Sequence, residues 1–202
     1  MKGDLKIKRA EYINKNNDIL QEFGFSHPKT KMLINSIYNS HFYGSSLWDL
    51  FTKEAVQLES SWNVSIKLMM DLPRETHRNL IEPLSGILHL KTILIKRFLA
   101  FIMQIKKSNK KAAKFLLESI QFDTNSVTGS NLRNILLLTD KADIQDLLPA
   151  DLSNLKYHPI QNEDKWKVSI LQEILEIKHG NLGVDDFNYD ELDEIVEFLC
   201  VS

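Results

Sequence analysis

The sequence predicts an all-α fold: an irregular helical bundle of about eight helices, with a long central apolar helix near residues 88–108. Three observations lead there. Apolar residues recur three and four positions apart, and no segment alternates over the length of a strand. Only 7 Gly and 5 Pro punctuate 202 residues, few breaks for a chain of this size. A hydrophobic content of 43% is ample for a packed core and argues against wholesale disorder. The length suits one domain or two small ones.

The first helix is expected over residues 4–23, with Ile13, Leu20 and Phe23 as its apolar edge and Gly24 as its stop. Ser26 is placed to cap the second, with Pro28 in its first turn. That helix runs to about residue 42, with Leu33, Ile37, Tyr38 and His41 at helical spacing, until Gly44, Ser45 and Ser46 break the pattern. Thr52 is placed to cap a long helix reaching about residue 72. Ala55, Leu58, Trp62, Ile66 and Met69 form one apolar face on it, and Pro73 stops it. A short helix over residues 76–81 comes before Pro83 and Gly86.

Residues 88–108 are apolar nearly all round, the pattern of a helix central to its domain. The polar positions there are His89, Thr92, Lys96, Arg97 and Gln104. The next helix, residues 110–122, is expected to pack Ala113, Phe115, Leu116, Leu117 and Ile120. Residues 123–130 read as a polar loop and as the best internal boundary. Short helices follow at 132–138 and 142–148, then an irregular stretch over 149–162. Residues 163–179 are amphipathic, with Trp166, Ile170, Leu171, Ile174 and Leu175 apolar. A last helix opens at Asn188 and Glu191, which have capping-box spacing.

A net charge of −2 conceals a division. Residues 1–120 hold 19 basic and 11 acidic side chains, net +8; residues 121–202 hold 6 and 16, net −10. The expected organisation is therefore a basic helical region, 1–122, and an acidic helical tail, 123–202. Two readings of the asymmetry stand side by side: a basic surface for polyanions, or two oppositely charged parts that dock on each other. Cys200 is the single cysteine, so no disulfide forms within the chain. The opening residues hold no apolar signal-peptide core, and the longest apolar run, residues 98–103, is too short to span a bilayer. These features predict an intracellular protein of cytoplasm or nucleus, neither secreted nor in a membrane. The sequon Asn63-Val64-Ser65 carries no weight in a chain with that character.

Gly183-Val184-Asp185-Asp186 mimics the paired aspartates of a polymerase palm, but it lacks the aromatic residue and the apolar strands that would hold a hairpin. A polar turn with acids near a helix N-terminus accounts for it. The six histidines include no pair four apart, and there is no Cys/His cluster. No metal site, cofactor or catalytic residue is therefore assigned. His77 is the histidine most suited to a function, with a structural role the simpler account.

The basic residues remain. Lys106, Lys107, Lys110, Lys111 and Lys114 crowd one helix–helix joint, and Lys6, Lys8, Arg9 and Lys15 line the first helix. Lysine and arginine bind phosphates by neutralising charge and releasing counterions; a solvated face is the alternative for any one of them. The aromatics around Trp48 and Trp62 have the chemistry to stack on bases, but helical spacing makes them core.

The wording of the chain adds to this. The phrases IYNSHFYGSSLWDL from Ile37, WNVSIKLMMDLP from Trp62, ETHR at Glu75 to Arg78 and HLKTILIKRFLAFI from His89 are the main points of resemblance. KIKRAEYINKNNDILQEFGF from Lys6, EDKWKV from Glu163 and ELDEIVEFL from Glu191 extend it over nearly the whole length. In these phrases the chain resembles the region downstream of the polymerase palm in reverse transcriptases of jockey-type non-LTR retrotransposons. The resemblance implies a thumb and C-terminal tail without catalytic carboxylates. It also implies contact with RNA or an RNA–DNA duplex, along which such a thumb lies. The rival expectation is a helical protein-interaction module, or a decayed element fragment with no function of its own.

Overall fold

The computed structural model describes residues 2–38, 42, 44–123, 125–146, 165–178, 194 and 196. Their regular structure is entirely helical, as expected. Eight α-helices occur among the described residues: α1 Lys2–Phe23, α2 Pro28–Tyr38, α3 Lys53–Met69, α4 Arg78–Ser85, α5 Leu90–Lys107, α6 Lys111–Phe122, α7 Val127–Leu138 and α8 Lys165–Lys178. Short 3-10 turns lie at Ser45–Leu47 and Ile144–Asp146. The helix expected at 142–148 is, in its described part, the second of these turns. The irregular stretch 149–162, the Gly183–Asp186 turn and Cys200 lie outside the described residues. So does the last helix, apart from Glu194 and Val196, which are helical.

The chain divides into two compact units that interleave along the sequence. The first comprises Met1–Arg9, His41–Glu59 and His89–Tyr157; the second comprises Ala10–Ser40, Ser60–Leu88 and His158–Ser202. The charge boundary near residue 122 falls within the first unit.

In the first unit, α5 packs against the Ser45–Leu47 turn and against α6, and α6 packs against α7. Leu90, Leu94, Ile95, Phe98, Leu99 and Ile102 bury one broad side of α5. Arg97 on the same helix donates from Nη1 to the Phe42 carbonyl at 3.1 Å. Its guanidinium lies 5.9 Å from the Phe42 ring, which meets Trp48 edge-on at 5.8 Å. Trp48 is thus core, as its spacing predicts.

Helix α7 starts at Val127, earlier than the expected 132, because the polar loop is a compact cap. Asp123 Oδ1 accepts from the backbone N–H of Asn125 and Ser126, at 3.1 and 3.2 Å. Ser126 Oγ then accepts from Gly129 N at 3.1 Å, the N-cap bond of α7. Gly129, within the expected loop, is instead a buried residue of the first turn.

Helices α1 and α3 each belong to both units, with residues up to Arg9 and Glu59 in the first and those from Ala10 and Ser60 in the second. In the second unit, Trp62 stacks on Tyr12 with ring centroids 5.5 Å apart, and Asn16 Nδ2 donates to Ser65 Oγ at 3.0 Å. The buried line of α1 is Leu5, Tyr12, Asn16 and Ile19, whereas Ile13, Leu20 and Phe23 are only half-buried beside it. The expected face of α3 holds throughout: Ala55, Leu58, Trp62, Ile66 and Met69 are all buried. Its cap is also as expected, with Ala55 N donating to Thr52 Oγ1 at 3.3 Å.

Helix α2 departs from expectation. Lys31, Met32 and Asn35 are buried, while Leu33 and Ile37 are 62% and 61% exposed. The helix turns its polar stripe inward because Lys31 finds partners there: Asp71 at 3.0 Å and the Gly24 carbonyl at 3.4 Å. Its N-cap is His27 rather than Ser26, since Lys29 N donates to His27 Nδ1 at 3.1 Å.

Helix α4 occupies 78–85 rather than 76–81. It runs through Pro83 and ends at Gly86, whose φ of 69° closes the last turn with a bond to Glu82 O. α8 packs on α4, and Gln172 Nε2 donates to Pro83 O at 3.0 Å. Val168, Leu171, Ile174 and Leu175 are the buried side of α8; Ile170, expected there, sits at its exposed rim.

Candidate nucleic-acid interface

The joint between α5 and α6 is built by two caps. The last N–H of α5, at Ser108, donates to Ile105 O, and Ser108 then leaves in extended conformation. Lys110 caps α6 in the same conformation, with its own N–H donating to Ser108 Oγ at 3.3 Å. The chain therefore turns within three residues, and both helix ends present their lysines at one place.

Lys107, Lys110, Lys111 and Lys114 are exposed. Lys106 is half-buried, its Nζ lying 3.5 Å from the Ile144 carbonyl. Four of the five expected cations are therefore open to solvent. On α1, Lys6 is exposed, and Lys8, Arg9 and Lys15 are half-buried. Lys15 belongs to the second unit and the other three to the first.

Electrostatics sets the joint apart from an ordinary surface. Lys106 and Lys107 end α5, where cations suit the negative end of the helix dipole. Lys111 and Lys114 stand in the first turn of α6, with no acid there, and oppose its dipole. Residues 83–117 contain eight Lys and Arg and no Asp or Glu. Two of those cations are held by aromatic neighbours: Arg97 at Phe42, and Lys91, 4.9 Å above Phe51. The joint thus concentrates positive charge, at some cost to the start of α6.

One feature of α6 contradicts its expected packing. Ile120 is buried, but Phe115 is 72% exposed and Phe122 is 85% exposed; Leu116 is exposed as well. The signal was present in the sequence. Phe115 and Phe122 are seven residues apart and share a helix line with Lys111 and Glu118, so they belong to the charged face and not to the Ile120 face.

The other candidates resolve into structure. Trp48 and Trp62 are buried in separate units. His27 is a helix cap, His77 is exposed at the N-cap position of α4, and His89 is buried at that of α5. His41, His158 and His179 lie outside the described residues. No group of three or more metal-ligating side chains occurs among the described residues, and no described helix is long and apolar enough to cross a membrane.

The second unit has an open cleft of about 520 Å³ bounded by His27, Met70, Leu84, Gln172 and Glu176. Several of its polar groups are committed to the fold. His27 Nδ1 caps α2, Ser85 Oγ donates to Ile81 O, and Gln172 Nε2 donates to Pro83 O.

Comparison of the chain with known protein families, curated proteins and solved structures finds no match.

Proposed function

We propose that the chain is the thumb and C-terminal tail of a non-LTR retrotransposon reverse transcriptase. Its contribution in that role is electrostatic binding of primer–template nucleic acid inside the cell, with no catalytic group assigned to it. The observation that carries the binding is the α5–α6 joint: Lys107, Lys110, Lys111 and Lys114 exposed together, within 35 residues that contain no carboxylate. Such a surface neutralises phosphates without reading sequence. The polymerase identity rests on the resemblance of the Ile37, Trp62 and His89 phrases.

A second reading, a helical protein-interaction module, is favoured by one observation. Leu33 and Ile37 are 62% and 61% exposed on α2, an apolar surface of the kind a protein partner covers.

Affinity for an RNA–DNA duplex as a function of salt separates the two. On the nucleic-acid reading, log affinity falls linearly with log salt, with a slope of about −0.9 per phosphate neutralised as calibrated on B-DNA. Changing Lys107, Lys110, Lys111 and Lys114 to Gln flattens that slope and leaves the helical spectrum intact. Weak binding with the same shallow slope in both proteins would leave the interaction module standing.

A further inference from the structure

Phe115 and Phe122, at 72% and 85%, are the most exposed aromatic residues among those described in the first unit. They stand two helical turns apart on one line of α6, about 10 Å along its axis at 1.5 Å per residue. Lys111 stands one turn before Phe115 on the same line, Lys114 lies beside it, and Lys107 and Lys110 lie just across the joint. The exposed strip therefore runs from the cations of the joint to the first ring, then through Glu118 to the second.

The composition of the strip selects its occupant. The centre of a protein interface is depleted in lysine, whereas here two lysines, Lys111 and Lys114, neighbour the first ring. A nucleic-acid duplex offers phosphates to the lysines but hides the faces of its bases. A single strand offers both phosphates and π faces, the pair of groups that single-strand grooves combine. We propose that the outward face of α6, with Phe115 and Phe122 as platforms and Lys107, Lys110, Lys111 and Lys114 as phosphate contacts, binds the unpaired nucleotides of a single-stranded nucleic acid. This rests on the proposed nucleic-acid reading of the joint and adds the state of the strand. Glu118, exposed between the two rings, and Asp123, exposed beside the second, are repulsive groups that keep binding modest.

The test measures binding of the full-length protein to oligothymidylate, to an abasic strand of equal length, and to a blunt RNA–DNA duplex. Oligothymidylate is expected to bind more tightly than the abasic strand, since the two differ only in bases. Phe115→Ala and Phe122→Ala each weaken oligothymidylate by about fivefold or more and leave the abasic strand and the duplex unchanged. Phe→Trp at either position retains the affinity, and Phe→Leu, apolar but without a π face, behaves as Phe→Ala. Glu118→Gln tightens all three ligands. Both phenylalanines are exposed, so these variants keep the fold, which an unchanged helical spectrum verifies.

Equal affinity for oligothymidylate and the abasic strand overturns the inference, as does full affinity in the Phe→Leu variants. If Lys→Gln at the joint still weakens duplex binding in that case, the electrostatic site survives and only the stacking is wrong. If the Lys→Gln variant binds duplex as the wild type does while the Phe variants lose oligothymidylate, the stacking stands and the electrostatic reading is wrong. Loss of binding to anionic phospholipid vesicles in the Phe variants, with oligothymidylate unaffected, assigns the strip to a membrane surface and also overturns the inference.

Discussion

The side chain of Asn131 grips the backbone of Trp48: its Nδ2 donates to the Trp48 carbonyl at 2.6 Å. Its Oδ1 accepts from Leu50 N at 3.0 Å. One fully buried amide on α7 thus satisfies two backbone groups more than eighty residues earlier in the chain. Asn131→Ala leaves both groups buried and unpaired. At about 1–3 kcal/mol for each, the loss is expected to reach several kcal/mol, read as a lower urea midpoint. Asn131→Asp keeps the acceptor for Leu50 N but points a carboxylate at the Trp48 oxygen, so it should be no better than Ala. A wild-type midpoint for Asn131→Asp would show that the Nδ2 bond contributes nothing.

Gly129→Ala is expected to destabilise, against helix propensity. In a helix interior Ala is normally better than Gly by about 1 kcal/mol. At this position a Cβ would overlap the Asp123 carbonyl oxygen and lie 2.9 Å from the Ile120 carbonyl oxygen. Both obstacles are backbone and neither yields cheaply, so overpacking of about 1–3 kcal/mol should dominate. Thermal unfolding of Gly129→Ala above the wild-type midpoint would mean that α6 and α7 separate easily.

Two helices end on an aspartate with positive φ, and the two should respond oppositely to glycine. Asp71 (φ 55°) and Asp140 (φ 52°) each sit where the following N–H reaches back five residues. Leu72 N bonds Lys67 O at 2.9 Å, and Lys141 N bonds Leu136 O at 3.0 Å. Asp140→Gly relieves the left-handed strain and should stabilise by about 1 kcal/mol. Asp71→Gly gains the same relief but strips Lys31, which is 1% exposed, of its 3.0 Å partner, so it should be a net loss. Lys31→Met, which removes the buried charge itself, should be milder than Asp71→Gly. Chemical denaturation of the three variants ranks them directly.

Alkaline pH should act through Tyr12. Burial pushes its hydroxyl from the usual 10.0 up to about 12, with the side chains of Ser65, Asn16 and Asn35 opposing the shift in part. A raised folded pKa means that the unfolded chain releases this proton first. The contribution is therefore complete below pH 10 and is lost as pH rises through about 12. Two pH units correspond to about 3 kcal/mol. Tyr12→Phe keeps the ring against Trp62 without the ionisation. The stability difference between wild type and Tyr12→Phe should therefore drift in favour of the variant across that window. A difference independent of pH would contradict the assignment.

Much of the architecture was legible because the forces behind it are local. The α3 face from Ala55 to Met69 is a 3.6-residue repeat, and the Thr52 cap bonds three residues ahead; both are visible in a short window. The line shared by Phe115 and Phe122 is equally visible as a seven-residue spacing, although hydrophobicity alone assigns Phe115 to the core. The α5–α6 lysines were found by composition, and their exposure follows from charge: solvating an ammonium is cheaper than burying it.

The sequence by itself determined that the described chain is helical, roughly where most of the helices lie, and where positive charge collects, because propensity, capping and solvation act within a few residues of each group. Only the tertiary structure decided which face each helix buries when local signals compete. Lys31 goes inside and Leu33 outside because Asp71, forty residues downstream, compensates the charge there. Asn16 is core because Ser65, 49 residues away, receives its amide. In each case a polar residue takes a buried position whose favourable partner lies elsewhere in the chain, and no window of neighbouring residues contains that partner's position.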